Sequence, residues 1–220
     1  GYYRTAHNDL FQGAAMAKFV YEDLGVSAAA AIHDGDPYTQ GLAQAFADAF
    51  EGLGGTVTGF TGVNKEDTDM VPVLTEIAAG SPGALFFPIF QPAGDMVADQ
   101  APGVSGLEGT ILLGADGLQV QSFMELPQAD GMYLSGPDLR YGDNTNQSTG
   151  VTAADFLADY EANNGNAPEA PFWAHSYDAT TILLEAIKAA SHVDGDDLVV
   201  DRAGVREYLD NLSGYEGIIG

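Results

Sequence analysis

The chain has 220 residues, 45 % of them apolar, which is enough for one large or two small globular domains and excludes a disordered chain. Its 32 acidic and 7 basic residues give a formal charge of −25 with no basic cluster, which excludes nucleic acid and anionic membrane surfaces as partners. The absence of cysteine excludes disulfides and thiolate chemistry.

The acidic composition has two interpretations. The acidic residues are scattered rather than clustered, which is typical of a solvated surface that keeps a protein soluble, for example in a saline habitat where salt screens the repulsion. The alternative is that the negative potential attracts cationic ligands or metal ions. The scatter favours the first interpretation.

The sequence begins directly with a pattern typical of folded structure. No basic segment followed by an apolar run is found at residue 1, so we expect that a signal peptide is absent or has been removed. No apolar run approaches the roughly 18 residues that a membrane-spanning helix requires.

A helix is expected near the amino terminus. Asn8 or Asp9 is a suitable N-cap, and Gly25 is a suitable residue to end the helix. Apolar residues at helical spacing predict a buried face made of Leu10, Ala14, Ala17, Tyr21 and Leu24.

The next stretch predicts a strand followed by a helix. Residues 27–32 are uncharged and do not alternate, which is typical of a strand buried on both faces. The helix begins near Thr39 after a polar loop, and its apolar face consists of Leu42, Phe46, Phe50 and Leu53. A strand joined to a helix in this way is half of a βαβ unit, which builds parallel sheets.

The same alternation continues through the middle of the chain. We expect further strands over 54–60, 84–90, 110–114 and 131–136, with helices over 68–79, 93–100 and 121–125 between them. Asp67 or Thr68 would cap the first of these helices, and Pro88 indicates that strand pairing ends near it. The sequence therefore predicts an α/β fold with a Rossmann-like parallel sheet flanked by helices.

The pattern changes at Pro137. A polar segment over 137–150 is followed by expected helices over 152–163, 172–190 and 202–212, with no further strand. The longest of them has an apolar stripe made of Ala179, Ile182, Leu183, Ala186 and Ile187. These helices need a sheet to cover, and the sequence after Pro137 does not supply one.

Candidate ligand contacts follow the expected strands at their carboxyl ends, where parallel sheets bind ligands. Tyr38 follows one strand, and Phe90 and Gln91 follow another. Asp116 follows a third, and a carboxylate beside aromatic rings suits an ammonium group. From the residues alone, Asp116 is equally well interpreted as a helix cap or turn residue, and the aromatic residues as core or rim residues.

The sequence lacks the motifs of catalysis and of cofactor or metal binding, such as GxSxG, GxGxxG, a P-loop and HExxH. The four histidines are isolated, and His33 is better interpreted as a turn residue than as a metal ligand. The acidic run at 194–197 lacks the pattern of a calcium loop and indicates a solvated turn. We therefore expect no enzymatic activity, no cofactor and no metal.

Six segments, taken in order, resemble a known family. They are YYRTAHNDLFQG, AAIHDGDPYTQGLAQAFADAFEGLGG, NKEDTDMVPVLTEI, ALFFPIFQP, ILLGADG and APFWAHSYDATTILLEAI. Each is weak alone, but together they cover nearly the whole chain and resemble the type I periplasmic binding proteins, in particular the branched-chain amino acid (Leu/Ile/Val) substrate-binding proteins of ABC transporters.

This resemblance implies two Rossmann-like lobes joined by three crossovers, with a small ligand enclosed between them. Residues 4–134 would form most of the second lobe, and residues 135–220 would be a crossover loop plus helices of the first lobe. The sheet of the first lobe would then lie outside this chain. The resemblance therefore implies a fragment, without an amino-terminal lobe segment and without the end beyond Gly220.

The resemblance also implies roles for individual residues. Asp116 would bind the α-ammonium group of the ligand. Tyr38 matches a tyrosine after the second strand of the lobe, and Phe90 matches a residue that lines the side-chain pocket, with Gln91 beside it. Tyr177 would be an aromatic residue that the first lobe contributes near the cleft.

Two departures from the family pattern leave the identity of the ligand open. Thr39 follows Tyr38 where many members have glycine, and FFPIFQP replaces a strand end that more commonly contains glycine.

The implied function is extracytoplasmic solute binding for an ABC importer, in which the lobes close over an amino acid or similar small molecule and a membrane permease is the partner. The location would be periplasmic or extracellular, with or without a lipid anchor. A ligand-sensing domain of a receptor or regulator, and less favourably a Rossmann-like enzyme, are the alternatives. The uncovered helices of a fragment would also allow self-association.

Overall fold

The alternation of strands and helices predicted from the sequence is present between His7 and Gly136. In the computed structural model, which describes residues 1–220, the chain divides into two units. We call His7–Gly136 the sheet unit, and Gly1–Ala6 together with Pro137–Gly220 the helix unit. No helix in either unit combines the length and the apolar character needed to cross a membrane.

The sheet unit contains one sheet of five strands. They are β1 Ala28–His33, β2 Thr56–Gly62, β3 Ala84–Phe86, β4 Ile111–Gly114 and β5 Tyr133–Leu134. All neighbouring strands are parallel, and their order in the sheet is β2-β1-β3-β4-β5. The predicted α/β fold with a Rossmann-like parallel sheet is therefore confirmed.

Helices cover both faces of this sheet. They are α1 Asp9–Lys18, α2 Pro37–Gly52, α3 Val71–Ala78, α4 Ala93–Gln100 and α5 Gln121–Met124. Successive side chains of β1 point to opposite faces, so Ala29 and Ala31 pack in the core with α1 and α2. Ala30 and Ile32 pack in the other core with α3 and α4. A strand buried on both faces explains the uncharged run in the sequence.

The predicted buried face of α1 is wrong in part. Leu10 is 72 % exposed, and the buried residues of the helix are Gln12, Gly13, Met16 and Ala17. The helix turns its small residues toward α2, so closely that a Cβ atom on Gly13 would lie 2.7 Å from the backbone nitrogen of Phe46. A wider π-helical turn, Phe19–Asp23, then shifts the helical period.

Two other predicted elements, one strand and one helix, are longer than the observed ones. Pairing of β3 ends at Phe86, although Phe87 and Ile89 remain fully buried beyond it. The helix predicted to be capped by Asp67 or Thr68 begins instead at Val71. Pro72 lies in its first turn, where the missing N–H leaves no hydrogen bond unmade.

The helix unit contains α6 Ala153–Asn164, α7 Trp173–Ala189 and α8 Arg202–Asp210. The expectation of no strand after Pro137 is wrong, because an antiparallel hairpin, β6 Ser191–Asp194 and β7 Asp197–Val200, lies between α7 and α8. A two-residue turn with Gly195 at φ 63° closes the hairpin. The acidic run at 194–197 is this exposed turn, as predicted.

The core of the helix unit is small and contains a buried carboxylate. Its apolar cluster consists of Tyr141, Ala153, Ala174 and Ile218. Asp178 is 1 % exposed and accepts hydrogen bonds from Asn146 Nδ2 at 2.8 Å and from the backbone N–H groups of Ile218 and Ile219 at 3.0 Å each. The predicted apolar stripe of α7 is only partly buried, since Leu183 is 46 % exposed.

Candidate functional site

The order of the strands creates a switch point in the sheet unit. From β1 the chain moves outward to β2 at one edge and then returns to β3 on the other side of β1. The loops that follow β1 and β3 therefore diverge and leave a crevice at the carboxyl ends of the strands. Ligands of open parallel sheets bind in this place.

The loop after β1 positions Tyr38 through a set of short-range hydrogen bonds. Thr39 Oγ1 donates to Asp34 Oδ1 at 2.5 Å, and the same carboxylate oxygen accepts from the backbone N–H of Asp36 at 3.0 Å. Asp36 in turn caps α2 by accepting from the backbone N–H of Tyr38 at 2.9 Å. Lys65, 2.9 Å from Asp36, and this cap lower the pKa of the Asp36 carboxyl.

Asp116 lies directly beyond the end of β4, in the short helical turn Asp116–Leu118. Its Oδ1 atom accepts a hydrogen bond from Tyr38 Oη at 2.7 Å. Gln12 Nε2 on α1 donates to the same Oδ1 atom. The carboxylate is half-buried, and neither donor reaches its other oxygen, Oδ2.

The hydroxyl of Tyr38 is a permanent donor in this arrangement. Burial of the side chain, and then the neighbouring Asp116 carboxylate, raise the pKa of Tyr38 above its usual value. The hydroxyl therefore stays protonated throughout the physiological pH range and donates to Asp116.

Phe90 completes an aromatic pair beside the carboxylate. Its ring centroid lies 5.7 Å from that of Tyr38, with the ring planes tilted by 41°. Phe90 is 44 % exposed, which is high for a residue type that is usually buried. The ring lies against Gly117, where a Cβ atom would come within 2.8 Å of Phe90 Cδ1. The side chain of Phe90 thus remains partly exposed, against the residue that follows Asp116.

The structure brings three of the predicted site residues of the sheet unit together. Tyr38, Phe90 and Asp116 form the cluster described above. Gln91 uses its amide differently, because it donates to Asp95 Oδ2 at 2.9 Å and accepts from Ser122 Oγ at 2.8 Å. The hydrogen bonds of Gln91 therefore do not involve the carboxylate of the cluster.

Tyr177 belongs to α7 in the helix unit. Its hydroxyl donates to Thr149 Oγ1 at 2.8 Å, and its ring packs edge-on against Phe156 with centroids 5.1 Å apart. The role of Tyr177 in ligand binding stays a prediction.

Gln12 is a site residue that the sequence did not indicate. It is 6 % exposed, and besides Asp116 it bonds Ser135, whose Oγ lies 3.1 Å from Gln12 Nε2. The residue also lines a groove of about 520 Å³ between α1 and the end of β5, together with Phe11, Phe19 and Tyr133. A capping signal placed the helix correctly, but nothing local marked Gln12 as an inward-facing residue.

The chemistry of the cluster suits an ammonium group. No group of three or more His, Asp or Glu side chains is arranged to hold a metal ion. A half-buried carboxylate offers a charged hydrogen bond to an ammonium group, and the faces of two aromatic rings add apolar and cation–π contact. The fold is therefore of the α/β class, and the cluster places a carboxylate and two aromatic rings at the carboxyl ends of its parallel strands.

Residues 2–220 of this chain match the sequence model of the periplasmic binding protein family. The chain belongs to this family of binding proteins. The predicted resemblance to type I periplasmic binding proteins of the branched-chain amino acid group is confirmed.

Curated relatives match most of this chain but extend well beyond it. Leu/Ile/Val-binding protein homolog 1 of Brucella abortus (strain 2308) is 28 % identical over 196 residues, which cover 87 % of this chain and 49 % of that protein. The leucine-, isoleucine-, valine-, threonine-, and alanine-binding protein of Pseudomonas aeruginosa is 23 % identical, with coverages of 87 % and 49 %. The chain thus spans about half the length of these relatives.

Solved structures of other binding proteins are also similar to this chain. The leucine-binding protein LivK of Thermotoga maritima is 26 % identical with a TM-score of 0.79, and the match covers 98 % of this chain and 58 % of that one. LivJ of Streptococcus pneumoniae, solved in complex with isoleucine, is 22 % identical with a TM-score of 0.72 and coverages of 98 % and 57 %. The second likeness supports the fold alone.

Proposed function

We propose that the chain is part of the solute-binding protein of an ABC importer, and that the Asp116 cluster binds the ammonium group of an amino acid. One observation carries this proposal. Tyr38 and Gln12 both donate to Oδ1 of Asp116, so the carboxylate is fixed in orientation while Oδ2 receives neither donor. The partly exposed side chain of Phe90 lies against Gly117, the residue after Asp116.

An amino acid fits these features better than other small solutes. The ammonium group would donate to Oδ2 of Asp116, and the negative charge of the carboxylate would be neutralised on binding. The rings of Tyr38 and Phe90 would contact the apolar part of the ligand. Relatives named as leucine-binding or as Leu/Ile/Val-binding proteins support an aliphatic amino acid as the ligand.

Partner and location follow from the same proposal. A solute-binding protein of this kind delivers its ligand to a membrane permease, so the permease of an ABC importer is the proposed partner. The protein would act in the periplasm or outside the cell, which family membership supports. An attachment by lipid is a further part of the proposal.

We also propose that residues 4–134 are one ligand-binding lobe and that the helices after residue 135 belong to the other lobe, whose sheet lies outside residues 1–220. Exposed apolar side chains support this proposal, since Leu184 on α7 is 58 % exposed and Leu198 in β7 is 67 % exposed. A two-stranded hairpin is also marginally stable in water unless it packs on other structure. Self-association through these residues is the competing explanation.

The decisive experiment is calorimetry on the full-length gene product with L-leucine, L-isoleucine and L-valine. Asp116→Ala should weaken binding by about 2–4 kcal/mol, because a buried ammonium loses its charged partner. Asp130→Ala is the matched control. Asp130 is an exposed aspartate of the same unit, and it precedes β5, so it lies near the amino end of a strand rather than the carboxyl end. Unchanged affinity in Asp116→Ala would remove Asp116 from the site.

A further inference from the structure

Gln12 is a buried amide whose hydrogen bonds connect the site to both ends of the sheet unit. Its Nε2 atom donates to Asp116 Oδ1, to Ser135 Oγ at 3.1 Å and to the Ser135 carbonyl oxygen at 3.3 Å. Its Oε1 atom lies 3.1 Å from Nε2 of His7. Because an amide oxygen can only accept, the imidazole donates in this contact.

The partners of Gln12 occupy special places along the chain. His7 is the first residue of the sheet unit, and Ser135 is next to its last residue, Gly136. One side chain on α1 therefore holds the entry to the unit, its exit and the carboxylate of the site.

A buried amide is costly unless its polar atoms are bonded, so a structural role alone would be filled more simply by an apolar residue. The neighbours of Gln12 on the buried face of α1 are Gly13, Met16 and Ala17, none of which is polar. The presence of the amide is therefore best explained by its hydrogen bonds to His7, Asp116 and Ser135.

Asp116 needs more than one donor to be held in one orientation. The terminal torsion of an aspartate side chain is broad and roughly two-fold, so a single hydrogen bond from Tyr38 would allow the carboxylate to tilt. A second donor to the same oxygen, Gln12 on α1 in addition to Tyr38 on α2, restricts that torsion.

We propose that Gln12 is a positioning residue for amine recognition: it fixes Oδ1 of Asp116, so that Oδ2 is presented to the ligand ammonium. It does so from an anchor on His7 and Ser135. This inference rests on the proposed function, because it assumes that Asp116 binds an amine.

The test compares two ligands that differ only in the amine. Calorimetry on the full-length gene product would measure affinity for L-leucine and for L-2-hydroxyisocaproate, which has a hydroxyl in place of the ammonium. Gln12→Met, which keeps the length but loses the donor, should weaken L-leucine binding roughly tenfold and binding of the hydroxy acid less than about twofold. Gln12→Glu, which places a second carboxylate beside Asp116, should weaken L-leucine binding by more than about tenfold.

Gln44→Met is the matched control, because Gln44 also donates to an aspartate, Asp48 Oδ1, at 2.7 Å but is exposed on α2. It should change neither affinity. In an Asp116→Asn background, Gln12→Met should have less than about a twofold further effect on L-leucine binding, since the group it positions is already altered.

A crystal structure of Gln12→Met provides a readout that does not depend on affinity. Asp116 should occupy more than one orientation, and an unchanged single orientation would overturn the inference. Equal losses for both ligands would also overturn it, while leaving the proposed function intact if Asp116→Ala has lost L-leucine binding. A wild-type protein that binds none of the three amino acids overturns the proposed function and the role of Gln12 together.

Discussion

The two units differ in how they hold together. In the sheet unit, large aromatic side chains are fully buried on both faces of a parallel sheet, among them Phe46, Phe86 and Phe123. In the helix unit the largest buried apolar side chains are Tyr141 and Ile218, and an acidic residue, Asp178, is buried as well. The sheet unit is thus stabilised by apolar burial and the helix unit by a buried polar network.

This difference is relevant to the place of the proposed binding site. A covered sheet fixes the ends of its strands, and side chains placed there keep their positions. The helix unit exposes apolar surface on α7 and on both strands of its hairpin. It is the less complete of the two as a packing unit, which fits the proposal that further structure covers it.

The largest expected effect tests the apolar core of the sheet unit. Phe86→Ala should lower the free energy of unfolding by about 3–5 kcal/mol, since the ring is fully buried and packs 4.8 Å from that of Phe46. Chemical denaturation followed by circular dichroism measures this change. Phe11→Ala is the control: Phe11 is 73 % exposed, and its loss should cost less than about 0.5 kcal/mol. Equal effects would remove the distinction between core and surface on which the comparison depends.

A somewhat smaller effect is expected in the helix unit. Asp178→Ala should lower the free energy of unfolding by about 3 kcal/mol, because Asn146 and two backbone N–H groups lose their buried acceptor. The fluorescence of Trp173, the single tryptophan, reports on this unit. Asp196→Ala, in the exposed hairpin turn, should leave the transition unchanged within about 0.5 kcal/mol. A stable Asp178→Ala variant would contradict a polar core.

Alkaline pH provides a third comparison. The pKa of Tyr38 is raised in the folded state, so above about pH 10 the unfolded chain releases this proton while the folded chain keeps it. Stability should therefore fall as pH rises, by at most about 1.4 kcal/mol per pH unit from this group. Tyr38→Phe should reduce the slope, whereas Tyr2→Phe, at a residue 80 % exposed, should not. Denaturation series between pH 8 and 11 would measure the slopes, and identical slopes would count against a perturbed hydroxyl.

The smallest effect sharpens the description of α7. In the 220-residue chain, Leu184→Ala should cost less than about 0.5 kcal/mol, since the side chain is 58 % exposed. In the full-length gene product the proposed covering sheet predicts a cost of about 2 kcal/mol or more. Denaturation of both proteins distinguishes these outcomes. The same small cost in both would mean that no covering sheet exists.

The sequence was sufficient to predict the part of the candidate site that follows from where the parallel strands end. Tyr38, Phe90 and Asp116 are far apart in the chain, but each follows a buried strand, and parallel strands end at the same edge. The strand-end rule therefore brings them together without any knowledge of side-chain packing.

Gln12 could not be predicted in this way, because its orientation depends on how α1 rotates against α2. That rotation follows from the close contact at Gly13, which joins residues far apart in the sequence. The hairpin after α7 was missed for a different reason. Its strands have only four residues each and are exposed on both faces, so they lack the apolar pattern by which strands are recognised.

Gly117 has a consequence for the position of the Phe90 ring beside Asp116. The ring of Phe90 rests against the backbone there because residue 117 has no side chain. A single methyl group at this position would lie 2.8 Å from Cδ1 of Phe90 and would displace the ring, without changing the charge of Asp116. In the proposed site, selectivity for ligand size can therefore evolve at residue 117 independently of the charge of Asp116.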